Sequence, residues 1–431
     1  MNRLARFLGL GAILWQLSSA TQATFTSQLT TQVTPPSQDP WYSAPPGFEK
    51  HPPSTILKVR EAPGNLTTTI GNVSRALNIL YTTTDSRYQP SWAVTTVLVP
   101  NSFYTSPSGK AALLSYHFAY DSASIDSGPS YGLYYEIAQP NPSLGIPAGT
   151  DLLTIFLSEG WIVNVPDYEG PTAAFGASVQ AGHATIDSLR AVLGTAPIPE
   201  AKRVNVALWG YSGGSIATEA AAELQVQYAP ELTISGAAIG GVVVDFAANF
   251  YLLSGTPLAG DLVAGLLGVT AQYPEARAYL QSRLHAENGT EFLSNENMTT
   301  TESLTFFANK DIYSYFVGGA ADLQAPVLRK VYNVEMKLGY HGVPAMPLFV
   351  YKAIGDEICP VAETDALVDK YCDVGADITY ERNTVGGHVT EIVNGQDRAI
   401  NWLRGIFNES YVPNASGCAI RDVTVNATNP A

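Results

Sequence analysis

The chain has 431 residues, 46% hydrophobic and 14% charged, a balance that buries a large core and excludes a disordered chain. Acidic residues outnumber basic ones 38 to 23, giving a formal net charge of −15, and a surface of that sign repels phosphate backbones and argues against nucleic-acid binding. Three cysteines are too few for a disulfide scaffold and badly spaced for structural zinc.

Residues 1–23 have the layout of a secretory signal. Arg3 and Arg6 precede an apolar stretch from Phe7 to Leu17, and Ser18-Ser19-Ala20 or Thr21-Gln22-Ala23 offers small residues before a cut. The stretch is short for a membrane span, and no later run reaches that length. A secreted, extracellular protein without a transmembrane anchor is expected. Sequons begin at Asn65, Asn72, Asn288, Asn297, Asn408, Asn414 and Asn426, each a candidate glycan acceptor and a candidate surface position. An oxidising compartment permits a disulfide, and the three cysteines allow three pairings.

Residues 24–73 begin Pro-, Ser-, Thr- and Gln-rich, with Pro35-Pro36, Pro45-Pro46 and Pro52-Pro53, the composition of an extended arm. Apolar, β-branched runs then predict strands at Ala76–Thr82, Ala93–Val99, Ala112–Tyr116 and Trp161–Val165. The series continues at Val204–Trp209, Thr233–Ile239, Leu348–Ile354 and Ile378–Glu381. The later runs are almost continuously hydrophobic, as parallel strands covered on both faces must be. Helical segments at Ala181–Leu193, Ser215–Tyr228 and Val361–Tyr371 alternate with them, and that rhythm predicts an open α/β sheet. Residues 242–323 break the rhythm with apolar helical pieces, including Phe246–Leu253 and Leu258–Leu267. The expected layout is thus a core over 74–241 and 324–431, interrupted by a helical insertion.

The sharpest local signal is Gly210-Tyr211-Ser212-Gly213-Gly214, set between a hydrophobic run and a helical one. A strand–turn–helix context of this kind is what a nucleophile elbow requires. Flanking glycines remove the side-chain clashes of a strained turn, and the following helix N-terminus favours negative charge there.

Serine needs a base, commonly a histidine oriented by a carboxylate. In this topology the order is serine, acid, histidine. Three histidines follow Ser212: His285, His341 and His388. The first two are expected to be surface or packing residues. His388 ends the Gly-rich stretch Val385-Gly386-Gly387 after the last predicted strand, where a loop can bring an imidazole back over the strand ends. Asp356 is the first acid past the strand Leu348–Ile354. Glu357 is its local competitor, whereas Asp365, Asp369 and Asp373 fall on or after the next helix. The oxyanion donors expected are the backbone N–H of Gly213 and one from the loop His117–Ser122. His117 precedes the serine and is expected to be structural. With no convincing HExxH, CxxC, P-loop or dinucleotide fingerprint, neither a metal nor an organic cofactor is expected.

Several motifs in order resemble the secretory lipases of fungi and yeasts, including the lipase A type. They are Thr96–Pro100, Tyr116–Asp121, Pro166–Pro171, Gly210–Gly214, Gly355–Glu357 and Gly386–His388. The resemblance implies an α/β-hydrolase fold with a mostly parallel central sheet, helices on both faces and a helical lid over residues 242–323. It implies a catalytic set of Ser212, Asp356 and His388, and the N–H of Asp121 as second oxyanion donor. It also implies the family's C-terminal disulfide, here Cys372 with Cys418. A second disulfide common in the family, between an early loop and the lid, has no cysteines here. The expected activity is hydrolysis of carboxylic esters, foremost of triacylglycerols at a lipid–water interface. Two alternatives stand beside it. One is a short-chain esterase or deacetylase acting on a trichothecene-type fungal metabolite, as some members resembling this family are; the other is an inactive ligand-binding protein on the same fold.

Overall fold

The computed structural model describes residues 33–64, 66–195, 203–415 and 417–427. The expected signal segment and Asn65 lie outside the described residues. Among those described, ten strands form one sheet: β1 (Ile56–Glu61), β2 (Val73–Thr84), β3 (Pro90–Pro100), β4 (Ala111–His117), β5 (Ile162–Pro166), β6 (Val204–Tyr211), β7 (Gly236–Gly240), β8 (Leu348–Ala353), β9 (Ile378–Asn383) and β10 (Cys418–Val423). Their order is β1-β2-β3-β5-β4-β6-β7-β8-β9-β10. The β1–β2, β2–β3 and β3–β5 pairs are antiparallel. From β5 through β10 every pair is parallel.

Parallel neighbours need crossovers, which here are helices. The period-2 alternation of each strand then splits the core in two. In β6, Val206 and Leu208 face the helices Ser178–Leu193, Gly213–Tyr228 and Val361–Asp373. Ala207, Trp209 and Tyr211 face the other way, toward Gly145–Ser158 and His388–Phe407. This is the α/β-hydrolase arrangement, a mostly parallel sheet with helices on both faces.

Two strands fall outside the expected set. β1 lies in the stretch expected to be an arm and adds an edge to β2 through a ladder from Lys58 to Glu61. β10 lies in the stretch expected to be a tail and pairs in parallel with β9. The disulfide joins Cys372, at the end of the helix before β9, to Cys418 at the start of β10. Cys359 is free and buried.

Between β7 and β8 the chain is helical, from Phe246–Leu253 through Ala259–Ala271 to Pro326–Glu335. The helices therefore run past Leu323, where the insertion was expected to end. Leu262, Leu266, Phe292, Phe307, Leu328 and Tyr332 pack into one apolar cluster that also takes in Phe175 and Val243 from loops of the sheet and Ile216 from the first turn of the helix Gly213–Tyr228. The insertion is thus seated on the ends of the parallel strands.

Candidate active site

Open parallel sheets place their ligand crevice beyond the carboxyl ends of the strands. Ser212 follows β6 at that edge with φ 54° and ψ −124°, a backbone region that costs a non-glycine residue on the order of 1–3 kcal/mol. Its surroundings enforce the turn. A Cβ on Gly210 would overlap the Gly214 carbonyl, and one on Gly214 would overlap the His117 carbonyl. The Ser212 N–H donates to the Gly240 carbonyl on β7 (3.1 Å), and its own carbonyl accepts from Ser215 N–H (2.8 Å).

His388 begins the helix His388–Phe407. Its N–H donates to Glu357 Oε2 (3.0 Å) and its carbonyl accepts from Tyr211 Oη (2.6 Å). The ring lies 2.7 Å from Ser212 Oγ through Nε2 and 2.8 Å from Asp356 Oδ2 through Nδ1. Asp356 Oδ1 accepts the N–H groups of Ile358 (3.0 Å) and Cys359 (2.8 Å). Burial alone would raise this carboxyl. The bond to His388, the charge of Lys352 and the Cys359 N–H outweigh it and hold Asp356 at about 2. An ionised Asp356 fixes the tautomer: Nδ1–H donates to it, leaving the Nε2 lone pair facing the serine hydroxyl.

Asp121, after β4, has φ 42° and lines the same pocket as Ser212 and Gly213. Thr300, at the start of the insertion helix Thr300–Phe307, holds this loop through Oγ1, which lies 2.5 Å and 2.8 Å from the carbonyls of Tyr120 and Asp121. The pocket wall is apolar at Phe175, Ile216, Val243, Phe246 and Leu253, and polar at Asn249 and Asp261. Oδ1 of Asp121, Oδ1 of Asp261 and Nδ2 of Asn249 are buried without a hydrogen-bond partner among the described residues. Burial, then the charge of Asp261, pushes the Asp121 carboxyl well up, and burial raises Asp261 to about 7. Burial thus favours the neutral form of both, which lessens the cost of enclosing them.

The remaining candidates sit elsewhere. Glu357 orients the His388 backbone rather than its ring. Asp365 pairs with Arg382 at 3.3 Å. His285 stands beside Glu287, and His341 Nε2 lies against the Val334 carbonyl. His117 is buried between Ser115 Oγ (2.9 Å) and Thr218 Oγ1 (2.6 Å), and burial lowers its ring to about 3. Of the sequons, Asn72, Asn297, Asn408 and Asn426 are exposed and Asn288 is half-buried. Asn414 is half-buried with its Nδ2 on Asp377 Oδ1 at 2.9 Å. Sequence reasoning missed Lys352, whose charge inside the apolar run of β8 was the available signal. It also missed Thr300, which holds the Asp121 loop, and Asn249 and Asp261, which line the pocket; all three are placed there only by tertiary packing.

The secretory lipase family model matches residues 139–414. A probable trichothecene esterase of Stachybotrys chartarum is 51% identical, over 99% of this chain and 87% of that protein. A trichothecene C-3 esterase of Fusarium sporotrichioides is 47% identical, over 92% of this chain and 89% of the relative. Among solved structures, lipase A of Candida antarctica in its closed state aligns with a TM-score of 0.83 at 26% identity, covering 93% of this chain and 92% of that one.

Proposed function

This chain belongs to the secretory lipase family, and from that premise we propose that it hydrolyses carboxylic esters through an acyl-enzyme on Ser212. The observation that carries the proposal is the continuous line from Ser212 Oγ to His388 Nε2 (2.7 Å) and from Nδ1 to Asp356 (2.8 Å). His388 takes the Ser212 proton as Oγ attacks the ester carbonyl. The N–H groups of Gly213 and Asp121 stabilise the oxyanion, each worth about 3 kcal/mol of barrier. His388 then returns the proton to the leaving alcohol, and later removes one from the water that releases the acid. Asp356 holds the ring and stabilises its charged form.

The substrate is a short acyl ester, such as an acetate, of a bulky trichothecene-type alcohol. Two relatives near half identity bear trichothecene esterase names. The pocket agrees, because Asn249 and Asp261 interrupt its apolar wall where a long alkyl chain would leave them unpartnered. A triacylglycerol lipase is the second reading. It is supported by the likeness to lipase A and by exposed Tyr251, Leu252 and Phe306 on the insertion helices, which would face a lipid surface if those helices act as a lid. Residues 1–23 and the family description support export from the cell. Among the described residues no helix is long and apolar enough to cross a membrane.

The test is the hydrolysis rate on p-nitrophenyl esters from acetyl to palmitoyl, with Ser212→Ala as blank. Rates confined to acetyl and butyryl support the deacetylase. Rates rising with chain length, and again on emulsion formation, support the lipase. No hydrolysis together with no reaction toward a fluorophosphonate leaves only a ligand-binding protein on this fold.

A further inference from the structure

We propose that Asp356, Cys359 and His388 also form an inhibitory site for a soft divalent cation such as zinc. One donor atom from each lies within 4.8 Å of the other two, and all three residues are buried. A thiol sulfur, an imidazole nitrogen and a carboxylate oxygen are ligands that zinc and the softer metals take. This differs from the cofactor metal that the sequence gives no reason to expect: the ion here would stop the reaction rather than run it.

The ligands are held in place by contacts that need no ion. Asp356 and Cys359 share one turn after β8, where Asp356 Oδ1 accepts the Ile358 and Cys359 N–H groups. His388 comes from the opposite loop and is fixed by Glu357, in the same turn as Asp356, and by Tyr211 at the end of β6. Cys359 is free, whereas Cys372 and Cys418 are bonded to each other. Cys359 lines the same pocket as Ser212, so an ion enters by the route the substrate uses. Lys352, 3.2 Å from Asp356 Oδ2, opposes a cation there, and the thiol is therefore the ligand on which binding depends.

Binding releases the thiol proton to solvent and forms a sulfur–metal bond, with no change of oxidation state. The ion takes His388 at Nδ1, the nitrogen beside Asp356, and the proton held there shifts to Nε2. With Nε2 protonated, the ring cannot accept the Ser212 proton, so hydrolysis stops until the ion is removed. The inhibitory consequence rests on the proposed triad; binding of the ion does not.

Two measurements test this separately. Cobalt(II) titrated into Ser212→Ala, which keeps the three ligands, is expected to give a saturable sulfur-to-cobalt charge-transfer absorption that disappears when Cys359→Ala is added. Zinc is expected to slow p-nitrophenyl acetate hydrolysis by the unsubstituted enzyme, reversibly on chelation. Cys359→Ala should raise the half-inhibiting zinc concentration about tenfold or more. If the alanine variant does not fold, Cys359→Ser keeps the volume and loses the soft donor. No charge-transfer band, or equal zinc sensitivity with and without the thiol, overturns the proposal. A band in a protein that hydrolyses no ester keeps the ion site and removes the hydrolase reading instead.

Discussion

Lys352 Nζ lies 3.2 Å from Asp356 Oδ2, with both side chains wholly shielded from water. The ammonium also donates to the Val242 carbonyl at 2.9 Å, so a fixed positive charge stands behind the acid that orients His388. Two ions taken out of water cost several kcal/mol each, and only their mutual attraction and their hydrogen bonds offset this.

Removing one partner leaves the other buried and uncompensated. Lys352→Met is therefore expected to destabilise the fold by about 3–5 kcal/mol, read from urea unfolding. Combining it with Asp356→Asn should recover part of that stability but none of the activity, since Asp356→Asn alone should lower kcat by about 10³–10⁴. Additive losses in the double variant would contradict the pairing.

The elbow glycines make a second prediction. The Cβ of Gly214→Ala would overlap the His117 carbonyl, a backbone atom in β4, and cannot be relieved by a rotamer change. This variant should lose more than about 4 kcal/mol or fail to fold. Gly255→Ala serves as the comparison: no atom lies within 4 Å of its Cβ, and only its φ of 76° is strained. Its expected cost is about 1–2 kcal/mol. Equal thermal midpoints for the two would refute the steric account.

Stability should also fall as pH rises from mildly acidic to mildly alkaline. Burial raises Asp167, Asp261 and Glu335 to about 7 each, and Asp121 and Glu169 well above the ordinary range. Each such carboxyl keeps its proton in the folded state while the unfolded chain ionises. The unfolded state therefore gains as pH rises from about 4 to 7. His117 and His183, lowered by burial to about 3 and about 4, act in the opposite direction below pH ~6.5, but the raised carboxyls, Glu219 at about 8 among them, outnumber them. Asp356, held at about 2, adds stability above its ordinary range that is lost as pH falls through about 4 to 2. The thermal midpoint should be higher near pH ~5 than near pH ~8, and Asp261→Asn should flatten the slope. A midpoint that climbs steadily across that range would contradict this assignment.

The parts of the site visible in the sequence are those governed by local backbone physics. Glycines around Ser212 mark a turn that tolerates no side chain, and Asp356 is marked as the first acid after the β8 run. The Gly386-Gly387 pair before His388 marks a loop able to turn back. Partners supplied by distant segments leave no such mark: Thr300 meets the Asp121 loop, and Asp261 the pocket, only because the insertion helices pack over the strand ends. β1 escaped notice because it follows a Pro-rich stretch and is half-buried, with Ile56 and Leu57 next to Lys58 and Arg60. β10 is mostly exposed or half-exposed, and Arg421 and Asp422 obscure its alternation.

The most direct test of the account is to treat the enzyme with a fluorophosphonate and locate the adduct by peptide mass spectrometry. The account predicts one adduct, on the peptide containing Ser212, absent in Ser212→Ala and formed far more slowly in His388→Ala. An adduct on another residue, or undiminished labelling without His388, would contradict it.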